Sequence, residues 1–216
     1  KQFPLKQWMG MYFTAQEQVP DLPWEMLEQR LGFLKAETFT HDENRDRDHS
    51  VEANWLLYVD NFLEGFHIPH VHPELNQTLD YSGYITETFD GGVLQIGKAV
   101  EGDVKFDLPV GHPDEGQDIA AYYLWLFPNM MFNFYPWGLS VNVVIPVSHN
   151  QCRILYRGYV GDSTLATQGA GSVLDTVEHQ DQWVIEEVQK GMASKAYDRG
   201  RYSPTREQGV HHFHRM

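Results

Sequence analysis

Five segments between residues 81 and 160 constrain the fold most: VLQIGKAV, AAYYLWLFP, MMFNFYPWG, LSVNVVIPV and CRILYRGYV. Each is rich in β-branched and aromatic side chains, which suit a pleated surface. Gly, Pro, Asn and Asp separate them, and no helical pattern lies between runs. Strands spaced this closely read as an antiparallel meander, because parallel neighbours need a long crossover. A Gly-, Ser- and Thr-rich loop at 161–171 follows, then the strongest helical pattern of the chain, 172–196. Strands grouped together and helices set apart give an α+β fold, an antiparallel sheet around a long C-terminal helix.

Upstream of the meander the pattern is mixed. Residues 5–14 read as a strand entering a core, with Trp8, Met9, Met11, Tyr12 and Phe13 close together. A turn with Pro20 and Pro23 follows, then a short helix over 24–34 with Leu27 and Leu31 on one face. The mixed-charge run 41–50 suits a solvated loop or sheet edge. Residues 51–59 (VEANWLLYV) read as a buried strand, and from Asp60 the pattern is helical until Pro69 stops it. The tail, 197–216, reads as irregular.

The long helix carries an apolar stripe, Val173, Val177, Val184, Val188 and Met192. Its gap is filled at helical spacing by Asp181, so the helix points a carboxylate inward. Glu178, Glu186 and Glu187 lie off that stripe and read as solvated. A buried carboxylate must be neutralised, paired or bound to a metal; a pair with a buried Arg or Tyr is the plain alternative. A second chemical segment is DNFLEGFHIPHVHPEL, residues 60–75. Glu64 and His67 share a helical face. His72 lies past Pro69, where a bend can bring it back. Two imidazoles and one carboxylate form the facial triad of non-haem Fe(II) oxygenases, three ligands with open positions opposite. Zinc uses the same donors, but the His-Glu-x-x-His signature is absent. A histidine-rich turn without any metal also fits these residues alone.

Composition narrows the functions. Apolar residues are 42% and aromatics 13%, enough for a sizeable core and against disorder. Sixteen basic against thirty acidic residues give a net charge of −14, unsuited to sequence-independent nucleic-acid binding or to anionic membranes. No apolar run is long enough to span a bilayer. Cys152 is the one cysteine, so neither an intrachain disulfide nor an all-cysteine iron–sulfur site can form. With no signal peptide visible at the start, a cytoplasmic location is expected. The chain opens on Lys1 in mid-pattern, which suggests a piece of a longer protein. Of eleven histidines, His211, His212 and His214 cluster in the tail; in an extended segment they diverge, and no metal role is expected.

The run NWLLYVDNFLEGFHIPHVHP resembles the mononuclear-iron motif of Rieske-type ring-hydroxylating oxygenase α subunits: Asn-Trp, then an acidic residue, a His three later and another five after that. Glu64, His67 and His72 keep that spacing. DQWVIEEVQKGMASKAY resembles the family's C-terminal ligand helix, with Asp181, Glu186, Gln189 and Gly191 in register. GRYSPTREQGVHHFHR looks like the tail of the group that includes choline, betaine and carnitine monooxygenases. The resemblance covers nearly the whole chain and implies a START-like helix-grip fold, with 1–216 as a single mononuclear-iron catalytic domain. It implies Fe(II) on His67, His72 and Asp181, and Glu64 as the carboxylate bridging to a Rieske [2Fe-2S] cluster on a neighbouring subunit. Asn61 would lie near the iron, and His70 has no counterpart role. The chain's lone cysteine cannot hold the cluster, so the Rieske domain is cut away or is a separate chain.

The implied function is O2-dependent hydroxylation of a small organic substrate, an aromatic acid or a quaternary ammonium compound. Electrons would come from NAD(P)H through a reductase or ferredoxin and the Rieske cluster, and a homotrimer is the expected assembly. Trp125, Phe127, Phe132, Phe134, Tyr135 and Trp137 would supply core and, by strand alternation, part of a pocket wall able to hold a ring or an ammonium group. A non-enzymatic START-like module for a lipid or small molecule is the competing class, and a degenerate assembly subunit a third. The inward Asp181 is what a lipid cavity does not call for.

Overall fold

The five apolar segments form consecutive strands of one antiparallel sheet. The structure, a computed structural model, describes residues 3–15 and 22–216. In chain order it contains a separate hairpin of β1 (Leu5–Trp8) and β2 (Met11–Thr14), then α1 (Trp24–Leu31), β3 (Thr40–His41) and β4 (Arg47–Val51). Three helices follow, α2 (Trp55–Phe62), α3 (Ile68–Val71) and α4 (Leu75–Thr78). The meander is β5 (Leu79–Phe89), β6 (Gly92–Ala99), β7 (Ile119–Leu126), β8 (Met130–Tyr135), β9 (Gly138–Ser148) and β10 (Gln151–Val160). The long helix is α5 (Leu174–Met192), and α6 (Gln208–Phe213) comes after it. The sheet runs β3-β10-β9-β8-β7-β6-β5, and β4 also pairs with β10, completing eight strands. The expected α+β class is the observed one.

Both faces of the central strands are covered, so β7 is buried at every position. One face carries Tyr122, Leu124, Phe132, Phe134 and Val141, packed with Trp8, Leu27 and Leu31. The other carries Val93, Trp125, Met131 and Tyr156, packed with Tyr58 and Val59 of α2, Ile185 of α5 and Phe213 of α6. Tyr123, Tyr135 and Trp137 extend that second layer toward Ile68, Leu75 and Ala170. Two-sided burial is why these strands read as continuous apolar runs rather than as alternating ones.

Three upstream and terminal expectations need correction. Residues 5–14 are a hairpin, turned at Met9 and Gly10 with positive φ at both, rather than one strand. Pro20 of the expected turn lies outside the described residues, and Pro23 immediately precedes α1. Residues 51–59 are not a strand: β4 ends at Val51, and α2 begins at Trp55. Asn54 decides this, because its side chain accepts the Leu56 N–H and caps the helix. The tail contains α6, which seats Val210 and Phe213 in the core.

The stripe on α5 is also different. Val188 and Met192 are 46% and 43% exposed, whereas Ile185 is buried and Glu178 is only 9% exposed. The buried face runs through Val177, Glu178, Asp181 and Ile185, successive neighbours at helical spacing. Glu186 and Gln189 do not face bulk water as free charge or amide. They accept the Glu52 and Asn54 backbone N–H groups at 3.0 and 2.8 Å, tying α5 to the start of α2. Glu187 is on the surface, paired with Lys190. Among the described residues no helix is long and apolar enough to cross a membrane.

Candidate metal centre

The site is built where α2 ends. Leu63 closes that helix, and the next residue, Glu64, folds its carboxylate back over the turn. It accepts the backbone N–H groups of Phe66 and His67, which fixes the entry into α3. Its Oε1 lies 2.6 Å from His67 Nδ1, so the imidazole is held with Nε2 facing inward. Pro69 sits in the first turn of α3, where it costs no hydrogen bond. His72 follows at the end of that turn, anchored through its N–H to the Ile68 carbonyl. The bend expected at Pro69 is therefore a single helical turn, and it returns His72 to within a 4.9 Å ring separation of His67.

Asp181 arrives from α5. His72 Nε2 is 3.0 Å and His67 Nε2 is 3.4 Å from the same Asp181 oxygen, Oδ1. The outer nitrogens of both rings are already engaged, His67 Nδ1 by Glu64 and His72 Nδ1 by Gln180 Oε1 at 2.7 Å. Asn61 Nδ2 donates to Asp181 Oδ1 at 2.7 Å. One ligand atom from each of His67, His72 and Asp181 lies within 4.8 Å of the others, and the three residues form a group that could hold a metal ion. His70, by contrast, is exposed.

The charge pattern supports a cation at that point. With Nδ1–H donated outward, each neutral imidazole presents a lone pair to a carboxylate oxygen, and three acceptors facing one another need a positive charge among them. In the metal-free protein a proton supplies it. Burial works against charge on His67, but the hydrogen bonds and charges of Asp181 and Glu64 prevail and raise its pKa to about 10. Burial likewise opposes ionisation of Asp181, yet His67 and His72 hold its carboxyl well below the usual range. The donor set, neutral nitrogen plus carboxylate oxygen, suits Fe(II).

The open side of this group faces a cavity of about 90 Å³. Five tyrosines line it, Tyr58, Tyr84, Tyr123, Tyr135 and Tyr156 among them from both helix and sheet, and burial raises the pKa of every one, so all stay protonated. Of the expected aromatic wall only Tyr135 lines the cavity. Phe132 and Phe134 face the opposite side of the sheet, Phe127 is exposed, Trp125 packs on Phe213, and Trp137 stacks behind Tyr135. The other tyrosines, Gln180 and Glu178 were not singled out from sequence. Glu178 had a legible signal, since it lies three residues before Asp181 on the same face. Gln180 had none.

Burial, with the nearby Asp175 and Asp181 charges, raises the Glu178 pKa to about 8, and Arg47 only partly offsets it. A carboxyl with a folded pKa above its unfolded one binds protons more tightly when folded, so stability falls as pH rises between the two. Glu178→Gln should therefore gain stability over the wild type as pH rises from 4.5 to about 8. The gain should reach on the order of 2–4 kcal/mol above that range, in denaturant melts of the metal-free protein. A pH-independent difference would show that Glu178 is not the buried acid described.

Residues 34–216 match the family of ring hydroxylating alpha subunits, over the catalytic domain. The chain belongs to that family. Among its relatives, the chloroplastic choline monooxygenase of Arabidopsis thaliana is 33% identical over 176 residues, covering 78% of this chain and 39% of that protein. The carnitine monooxygenase oxygenase subunit of Escherichia coli (strain K12) is 28% identical over 176 residues, covering 76% of this chain and 46% of that protein. The chain thus spans less than half the length of these curated relatives. A quaternary ammonium Rieske monooxygenase solved with L-carnitine superposes with a TM-score of 0.70 at 20% identity, over 98% of this chain and 58% of that one. Naphthalene 1,2-dioxygenase from Rhodococcus sp. gives 0.65 at 15% identity, over 97% and 64%. These two likenesses speak for the fold: the ring-hydroxylating catalytic domain is this sheet packed against this helix.

Proposed function

We propose that this chain is the catalytic part of a Rieske-type oxygenase that hydroxylates a small quaternary ammonium compound. The observation that carries the proposal is the convergence of His67, His72 and Asp181 on one point beside a tyrosine-lined cavity. Fe(II) held by these three residues would supply O2 activation. The overall change is R–H + O2 + 2 e⁻ + 2 H⁺ → R–OH + H2O, with the electrons drawn from NAD(P)H through a reductase or ferredoxin and a Rieske [2Fe-2S] cluster. Cys152 is buried in the core and is the one cysteine, so that cluster belongs to a further domain or to a partner, as in a homotrimer whose clusters face neighbouring sites.

The chain's own residues divide the remaining work. Glu64 and Gln180 fix the two imidazoles with Nε2 inward. Asn61 orients the Asp181 carboxylate. The buried tyrosines exclude water and offer ring faces to the substrate. No lysine or arginine is among the residues lining the cavity, while Glu64, Glu178 and Asp181 are. That charge favours a cation over an aromatic acid, whose carboxylate would meet like charge. The cavity is also small beside the roughly 300–1,000 Å³ of drug-sized sites, which weighs against a lipid-binding module.

Glu64 engages the Nδ1 side of His67, opposite the inward Nε2, which suits the point where electrons enter. Glu64→Gln keeps one oxygen, to accept from His67 Nδ1, and gives up the other, which takes the Phe66 and His67 backbone N–H groups. It should leave iron content within about twofold, yet reduce coupled turnover of the full-length protein at least tenfold. Iron content and product formed per NADH consumed are the two readings. Loss of iron would make Glu64 a determinant of the metal site and remove the electron-entry role.

A further inference from the structure

One buried acid in the cavity has no partner. Glu178 is 9% exposed and lines the same cavity as the metal group. Among the described residues it makes no hydrogen bond and no ion pair, although an isolated buried carboxylate costs several kcal/mol. The nearest candidate partner is turned elsewhere: Arg47 gives its guanidinium to Asp175, at 2.9 Å, and to the Asn44 and Asp46 carbonyls. No hydrogen bond joins Glu178 to a nearby tyrosine hydroxyl, and Tyr58 and Tyr156 hydrogen-bond to each other. Glu178 shares the lining of the cavity with Tyr58, Tyr135 and Tyr156.

A carboxylate denied hydrogen-bond donors but surrounded by aromatic faces suits a cation that has no N–H to donate. A quaternary ammonium group answers the charge by Coulomb attraction and lays its methyl groups against the tyrosine rings. Glu178 lies three residues before Asp181 on α5, about 4.5 Å along the helix axis. A cation held there therefore presents the carbons next to its nitrogen about one helical turn from the metal ligands. We propose that Glu178 is the counter-ion that selects the cationic end of the substrate and positions it beside the metal group. This deepens the reading of the preceding section and rests on it for the reaction, though not for the binding.

The charged and titratable groups facing Glu178 are Asp175 and Asp181 on its own helix, Arg45 just before β4, Arg47 from β4, Tyr58 from α2, Tyr135 from β8 and Tyr156 from β10. The two cations among them are already engaged, Arg45 with Asp42 and over the Trp137 ring and Arg47 with Asp175. Cation binding should therefore strengthen as pH rises toward 8 and Glu178 ionises.

The test is equilibrium titration of metal-free and iron-loaded protein with choline and with its uncharged isostere, in which carbon replaces nitrogen. The wild type should bind choline at least about tenfold more tightly than the isostere. Glu178→Gln should lose about tenfold or more in choline affinity with isostere affinity unchanged, and Glu178→Asp should recover part of it. Equal choline affinity in wild type and Glu178→Gln, or no preference for choline over the isostere, would overturn the proposal. Iron content of the same samples reads the metal group separately. Normal iron without choline selectivity defeats the counter-ion alone, and selective choline binding without iron supports it while defeating the oxygenase reading.

Discussion

Asp181→Ala should empty the metal site. The carboxylate oxygen it removes is the one to which both His67 Nε2 and His72 Nε2 point, and the one that Asn61 holds in place. Loss of a residue that merely orients a ligand costs 10–100-fold in metal affinity, so loss of one of three ligands should cost more. Iron per chain, measured after anaerobic loading and desalting, should fall from near stoichiometric to below about a tenth. His67→Ala should do the same. In Asp181→Ala the two imidazoles would face each other without the Asp181 charge, and the His67 pKa should fall back from about 10. O2-dependent turnover of the full-length protein should vanish in parallel. Unchanged iron in both variants would end the assignment of a mononuclear centre.

Gly209→Ala should destabilise the fold and loosen the metal site with it. A Cβ at Gly209 would lie 2.5 Å from the Leu63 carbonyl oxygen and 3.3 Å from Val93 Cγ1. The first is backbone and cannot swing aside, so α6 must lift away from α2. Overpacking of this kind costs about 1–3 kcal/mol, and the upper end is expected here, because Phe213 on the same helix packs on Trp125. Leu63 leads directly into Glu64, so the displacement should also weaken iron binding. Gly191→Ala is the matching control: nothing lies within 4 Å of its added Cβ near the end of α5, and removal of a helical glycine should stabilise by roughly 1 kcal/mol. Equal melting curves for the two variants would show that the α2–α6 contact is not tight.

The same neighbourhood shows what the sequence could and could not reveal. The meander was legible because β-branched and aromatic runs broken by turn residues have few other uses. The pairing of Glu64 with His67 and the return of His72 were legible because helical spacing and a proline fix them locally. Residues 51–59 were misread because NWLLYV is apolar enough for a strand, and only the cap at Asn54 distinguishes the helix. Glu178 was misread as solvated because the apolar stripe was extended to Val188 and Met192, which are exposed, rather than along the face that Asp181 itself marks. The tail histidines sit on a helix rather than an extended segment: His212 binds the Phe89 carbonyl and His214 the Asp60 carboxylate. Gln180 and the tyrosines of β7 and β10 become site residues only through tertiary packing, which no local pattern encodes.

His72 and Asp181 are 109 residues apart in sequence yet 3.0 Å apart in space, and nearly the whole sheet lies between them. A metal bound there is more than a reagent. It fastens the two ends of that long excursion together, and a ligand present at a thousand times its dissociation constant adds about 4 kcal/mol to the folded side of the balance. If iron is that ligand, its supply around such a chain would govern how much of the chain survives, and scarcity would loosen the fold first where His72 meets Asp181.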